Sequence, residues 1–169
     1  MSIIDLFKKK KDAYARAAVI GLDEEYRYRI SEAIAREFKL QFYPRETLDF
    51  CSNKYLQRVA LSNAGIGVPD FQLIDSNDLD ASKSRLRFPN VLKLMTGIGS
   101  AHLYLNKSKT QLDLNLKKLL AGLKADPKNP ILAKYEAAGV RVDPTSRFLL
   151  EEYVGGTEYS CDFIVEEEK

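Results

Sequence analysis

Apolar positions recur along this chain with two periods, one helical and one extended. In DEEYRYRISEAIAREF, Tyr26, Ile30, Ala33, Ile34, Glu37 and Phe38 fall on one stripe at helical spacing, and Asp23 stands where an N-cap belongs. Before it, Ala15 to Gly21 (ARAAVIG) reads as a short buried strand. After a loop containing Pro44, Ser52 is placed to cap a helix over NKYLQRVALSNAG, with Leu56, Val59, Ala60 and Asn63 on its inner face and Gly65 as its stop. IGVPDFQLI is a proline-opened extended segment, and a short helix is expected around Leu79 to Leu86. VLKLM and HLYL are strand-like runs on either side of Thr96-Gly97-Ile98-Gly99-Ser100. Thr110 to Lys124 carries Leu112, Leu116, Leu119, Leu120 and Leu123 at helical spacing. Asp126 to Pro130 breaks the chain, a short helix is expected near Ile131 to Ala138, and Pro144 introduces RFLLEEYVGGTEYSCDFIV. That last stretch reads as two strands joined at Gly155-Gly156; in the second, Glu158, Ser160 and Asp162 alternate with Tyr159, Cys161 and Phe163. The order predicts an α+β fold with antiparallel hairpins rather than regular βαβ alternation.

Composition narrows the class without naming a function. The chain has 169 residues, enough for one domain or one plus part of another, and its 45% hydrophobic and 30% charged content can build and solubilise a core. A net charge of +2 argues neither for nor against an anionic partner. Cys51 and Cys161 are far apart and lack metal-ligand spacing, which fits a reducing cytoplasm and excludes a disulfide scaffold. In MSIIDLFKKKKDAYA the lysines follow the apolar patch, the reverse of a secretory signal. No apolar run approaches the roughly 18 residues of a membrane span. A soluble cytoplasmic protein is expected, with no membrane partner. The run Lys8 to Lys11 has no aromatic interleaving, so it reads as a solvated tail and not as a nucleic-acid surface.

Candidate chemistry gathers around the glycine loop. On a strand, Val91, Lys93 and Met95 share one face while Leu92 and Leu94 share the other, so Lys93 is a cation among apolar neighbours. Alone, it would read as an edge lysine snorkelling to solvent. The loop just beyond Met95 adds backbone N–H groups that can serve the same anion. The loop is not a Walker A motif, because no Gly-Lys-Ser/Thr follows, and HLYL is a strand where a dinucleotide fingerprint needs a helix. Structural hairpin glycines remain the plain alternative. Further on, Glu151 and Glu152 end the apolar run RFLL, and one of them must face inward unless the strand is an exposed, charged edge. Such a segment can offer backbone groups to an adenine edge, and Glu158 two acceptor oxygens to a ribose diol. His102, the single histidine, is read as a strand residue without catalytic role, and Cys161 as core.

The order and spacing of NKYLQRVALSNAGIGVP, FPNVLKLMTGIGS and FLLEEYVGGTEYSCDF resemble the ATP-grasp superfamily, over about Asn53 to Val165. The resemblance implies that Lys54 and Lys93 contact ATP phosphates and that Gly97, Gly99 and Ser100 form a flap over them. It implies that Glu151 and the backbones of Glu152 and Val154 read the adenine, and that Glu158 holds the ribose. The superfamily uses ATP to turn a small-molecule carboxylate into an acylphosphate, which an amine or other nucleophile attacks. Asn53 stands where the superfamily often has Asp, and Leu94 where it often has Pro; neither is expected to touch the proposed contacts.

The same resemblance divides the chain. Residues 1–45 correspond to a basic tail plus the last strand and helix of a preceding domain, 46–154 to an ATP-binding lobe, and 155–169 to the first strand of a second lobe. The Mg²⁺-holding carboxylates and the acceptor-binding residues belong to that second lobe, outside this chain, so no catalytic or metal-binding residue is assigned here. The chain alone is expected to show no ligase turnover, and the strand TEYSCDFIV, lacking neighbours, is expected to promote self-association or leave a loosely ordered C-terminus. Two alternatives remain at this stage: a non-catalytic nucleotide-binding or regulatory module, and an interaction protein using the basic tail and a sheet edge.

Overall fold

The structure, a computed structural model, describes residues 25–40, 42–78, 80, 83–97, 101–129, 132–137, 140–157 and 159. Along the chain lie α1 (Glu25–Phe38), α2 (Arg45–Ser52), α3 (Lys54–Asn63), β1 (Phe71–Asp75), β2 (Asn90–Leu94), β3 (Tyr104–Asn106), α4 (Lys109–Ala125), β4 (Tyr135–Ala137), β5 (Val140–Val142) and β6 (Arg147–Glu152). The fold is α+β, as the pattern predicts. One antiparallel sheet has the order β1-β6-β2-β3, and β4 with β5 forms a separate hairpin.

The leucine period builds the core. Helix α4 buries Leu112, Leu116, Leu119 and Leu123, with Leu120 packed beside them. They meet one face of the sheet, where register sets Leu92 opposite Leu150 and both Leu94 and Ile74 opposite Phe148. Directly opposed residues share a face, so these five form one apolar surface. Ser108 caps α4 by accepting from Gln111 N at 3.3 Å. Truncating a fully buried member such as Leu116 or Leu150 to Ala removes about 2–5 kcal/mol.

The opposite face carries Phe71, Leu73, Val91, Lys93, Leu149 and Glu151 by the same register. Helix α3 lies against it: the Tyr55 and Phe71 rings meet edge-on with centroids 5.8 Å apart. That face holds the charged groups described below. Both β2 and β6 are interior strands, so Lys93 and Glu151 are not edge residues.

Several expectations need correction. Within 131–138 the described residues form no helix beyond a 3₁₀ position at Leu132, and Tyr135–Ala137 pairs with Val140–Val142 as a hairpin. Around 79–86, the described residues form no helix beyond a 3₁₀ position at Lys83. Gln72 competes for that backbone, donating to Lys83 O at 3.0 Å and accepting from Arg85 N at 2.9 Å. Ser52 does not cap a helix but ends α2, a helix in place of the loop expected around Pro44. Among its buried residues only Leu48 is apolar, beside Asp49 and Ser52, so α2 has little hydrophobic period to read. Asn63 is exposed and no residue of α3 is fully buried; Leu56, Val59 and Ala60 are half-buried. Over residues 31–38 of α1, Ser31, Glu32 and Ala35 are buried, Ala33, Ile34 and Phe38 are half-buried, and Glu37 is exposed. Glu32 turns inward because it meets Arg45 of α2 at 3.4 Å and Arg36 at 3.5 Å. His102 occupies a turn at φ +56° before β3, not a strand. The expected strand at 15–21, the Asp23 cap and the strand through Cys161 lie outside the described residues.

Candidate functional site

Asn53 sets the site's first cation. Its Oδ1 accepts from Tyr55 N at 3.0 Å and Leu56 N at 3.1 Å, closing the N-terminus of α3 with Lys54 as first helical residue. Those two amides are therefore committed to the cap. Lys54 N donates to Met95 O at 2.8 Å, and Lys54 Nζ donates to Gly97 O at 2.6 Å. One residue thus ties α3 to the start of the glycine loop at two points. Gly97 has φ +107°, a conformation that L side chains rarely adopt, so the glycine is needed for the chain to leave β2 on this course. Gly99 and Ser100 lie outside the described residues.

Alternation along β2 places the second cation. Asn90, Leu92 and Leu94 are buried in the core face, and Val91 and Lys93 are half-buried on the other. Lys93 opposes Leu149, and Glu151 opposes Val91, so Lys93 and Glu151 are diagonal neighbours on one face. Lys93 Nζ pairs with Glu151 Oε2. Arg58 Nε donates to Glu151 Oε1 at 2.8 Å, so one buried carboxylate is held between two cations. Of the Glu151/Glu152 pair, Glu151 is the inward member. Glu152 is exposed and donates its N–H to Asp70 O at 2.8 Å.

Beyond β6 the chain crosses back to β2: Tyr153 N donates to Pro89 O at 3.2 Å. A cavity of about 500 Å³ opens here, lined by Phe88, Pro89, Leu105, Lys107 and Tyr153. Val154 is exposed, and among the described residues none accepts its N–H. Glu158 lies outside the described residues. A second cavity, about 430 Å³, lies between the start of α3 and the β4–β5 hairpin, with Asn53, Met95, Arg141 and Asp143 in its walls. Burial pushes the Asp143 carboxyl up, but hydrogen bonds from Lys134 and Thr145 outweigh it and hold the group below the usual carboxylate range.

The structure therefore joins Lys54 to Gly97 and Lys93 to Glu151. Sequence reasoning missed Arg58 and the cap role of Asn53. Arg58 had a signal: it stands four residues after Lys54, one helical turn along the same face. Chemically, the site offers an apolar slot with exposed backbone at one end of the face and ammonium and guanidinium groups toward the other. That is the layout for a flat, polar-edged group carrying a negatively charged tail.

No protein-family model matches the sequence, and no curated protein matches it. Solved structures do. An L-amino acid ligase from Bacillus licheniformis aligns with TM-score 0.60 and 17% identity, over 89% of this chain and 32% of that one. A D-alanine–D-alanine ligase from Helicobacter pylori aligns with TM-score 0.51 and 16% identity, over 73% of this chain and 32% of that one. The chain thus spans about a third of the length of these enzymes, 32% in each case. At such identities the likeness is one of fold: this chain has the α+β fold of ATP-grasp proteins, the class to which both ligases belong.

Proposed function

We propose that this chain is the ATP-binding portion of an ATP-grasp enzyme that activates a carboxylate as an acylphosphate for attack by an amine or other nucleophile. The observation carrying the reading is the pair of lysines, Lys54 on Gly97 O and Lys93 on the adjoining sheet face, set at the start of a glycine loop within this fold. Lys54 and Lys93 would contact the phosphates and Gly97, Gly99 and Ser100 would close over them. The cavity by Tyr153, the N–H of Val154, the backbone of Glu152 and Glu151 would receive the adenine, and Glu158 the ribose. Residues 46–154 would form the ATP-binding lobe and 155–169 the start of the next.

In the reaction, a carboxylate oxygen of the substrate attacks the γ-phosphorus and the bond to the ADP oxygen breaks. The nucleophile then adds to the acyl carbon and inorganic phosphate leaves with the bonding electrons. This chain's share is to orient the triphosphate and offset its charge. Mg²⁺, when bound, would neutralise charge on the transferring phosphoryl group. Among the described residues no group of three or more His, Cys, Asp or Glu side chains converges, so no residue here is assigned to it.

The test is calorimetric titration of the 169-residue protein with ATP, for wild type and Lys93→Ala. Saturable binding that weakens at least about tenfold in the variant supports the reading, the order expected for loss of a charge-assisted contact. Absence of saturable binding, or a Lys93→Ala affinity equal to wild type, would overturn it.

A further inference from the structure

We propose that Arg58 is the positioning residue that releases Lys93 to an anionic ligand, by keeping the buried Glu151 charge-paired when Lys93 turns away from it. The inference rests on the nucleotide reading above, and the anion concerned is the phosphate portion of a nucleotide.

The three side chains are graded in depth. Glu151 is 5% exposed, Lys93 15% and Arg58 20%, so an anion arriving from solvent meets cations before it meets the carboxylate. Two cations on one carboxylate leave a local charge of +1. The two are unequal in freedom. Arg58 is fixed at both ends of its guanidinium, with Nε on Glu151 Oε1 at 2.8 Å and Nη1 donating to Gln57 Oε1 at 3.1 Å. Lys93 carries a point charge on a flexible stem, with three donors that can be re-aimed. If Lys93 alone neutralised Glu151, moving its ammonium to a phosphate would strand a buried carboxylate, which is a strongly unfavourable state. With Arg58 on the other oxygen, Glu151 stays paired and Lys93 can move at small cost. The positions suit the exchange: Arg58 belongs to α3, the helix whose first residue, Lys54, already holds the glycine loop through Gly97 O.

The experiment is a titration of the 169-residue protein with ATP and, separately, with adenosine, for wild type, Arg58→Met, Arg58→Lys, Glu151→Gln and the double variant Arg58→Met/Glu151→Gln. Arg58→Met is expected to weaken ATP about tenfold or more while leaving adenosine unchanged, the order expected when a buried carboxylate is left unpaired. Arg58→Lys, which keeps a cation there, should retain most of the affinity. Because Glu151 is itself placed against the adenine, the double variant is compared with Glu151→Gln alone: in that background Arg58→Met should change ATP affinity little, since no carboxylate remains to be stranded. The proposal is overturned if Arg58→Met binds ATP like wild type, or if it weakens ATP as much in the Glu151→Gln background as in wild type, which would indicate direct contact of Arg58 with phosphate. Parallel losses for ATP and adenosine would also overturn it, because they mark a structural role. If wild type binds neither ligand, the nucleotide reading itself falls, and this inference with it.

Discussion

Asn53 donates from Nδ2 to the Tyr135 hydroxyl at 3.0 Å, joining the start of α3 to the first residue of the β4–β5 hairpin. The same side chain, 1% exposed, accepts from Tyr55 N and Leu56 N. One buried amide therefore fixes a helix terminus, a distant hairpin and, through its neighbour Lys54, the entry to the glycine loop.

Asn53→Ala removes the cap and the bond to Tyr135 together. A lost N-cap costs about 0.5–2 kcal/mol, and the second hydrogen bond about 1 more. Urea unfolding should show a loss of about 1.5–3 kcal/mol on those magnitudes. Asn53→Asp keeps a capping oxygen and can accept from Tyr135, so it should lose less. An Asn53→Ala variant within about 0.5 kcal/mol of wild type, the ordinary range for surface changes, would contradict this account.

That amide also shows what the sequence could and could not reveal. The α4 leucines and the β2 alternation were legible because burial of one face imposes a period, 3.6 in the helix and 2 in the strand. The placement of Lys93 followed from the same rule, as did an inward position for one of Glu151 and Glu152, though not which one. The hairpin at 135–142 was not legible, because strands of three residues each give too short a run for any period to register. Helix α2 and the inner face of α1 escaped for another reason: they meet through Glu32 and Arg45, and polar burial leaves no hydrophobic stripe. The pairing of Arg58 with Glu151 was not legible because the two lie 93 residues apart, and only the folded sheet brings Glu151 beneath α3.

Polar burial also closes the sheet's far side. Asn90 and Asn106 are opposed in β2 and β3, both fully buried, and Asn106 Nδ2 donates to Asn90 Oδ1 at 3.0 Å. Asn115 of α4 donates to Asn106 Oδ1 at 2.8 Å. Asn106→Ala strands groups on both neighbours and should cost about 1–3 kcal/mol. Because the three act as one network, Asn90→Ala/Asn106→Ala should cost less than the sum of its single changes. Strict additivity in denaturant unfolding would show that the network carries no shared stability.

Gly122 of α4 has no side chain where the His102 ring sits: a Cβ there would lie 2.7 Å from His102 Cε1. A glycine inside a helix costs about 1 kcal/mol relative to alanine. In wild type, Gly122→Ala should not recover that energy, since the imidazole must be displaced. His102 has φ +56°, which glycine adopts freely, so His102→Gly clears the ring without backbone strain. In that background Gly122→Ala should stabilise the protein by about 1 kcal/mol in thermal or urea unfolding. An equal effect of Gly122→Ala in both backgrounds would mean the ring does not constrain this position.

Asp143 supplies the pH dependence. Lys134 precedes β4 and Asp143 follows β5, and their pairing at 2.7 Å closes the base of the hairpin. Thr145 adds its hydroxyl at 2.7 Å and its N–H at 3.0 Å. Burial raises the carboxyl, and these bonds together lower it further, so the native value lies below the ordinary 3.8. The unfolded chain therefore takes up the proton first as pH falls. The contribution of Asp143 is full above 3.8 and is lost as pH drops through the lower native value. Wild type should consequently lose more unfolding free energy than Asp143→Asn when urea titrations at pH 7 and about pH 3 are compared, a span that enters this window. Identical losses in the two proteins would show that the hairpin base does not depend on this carboxylate's charge.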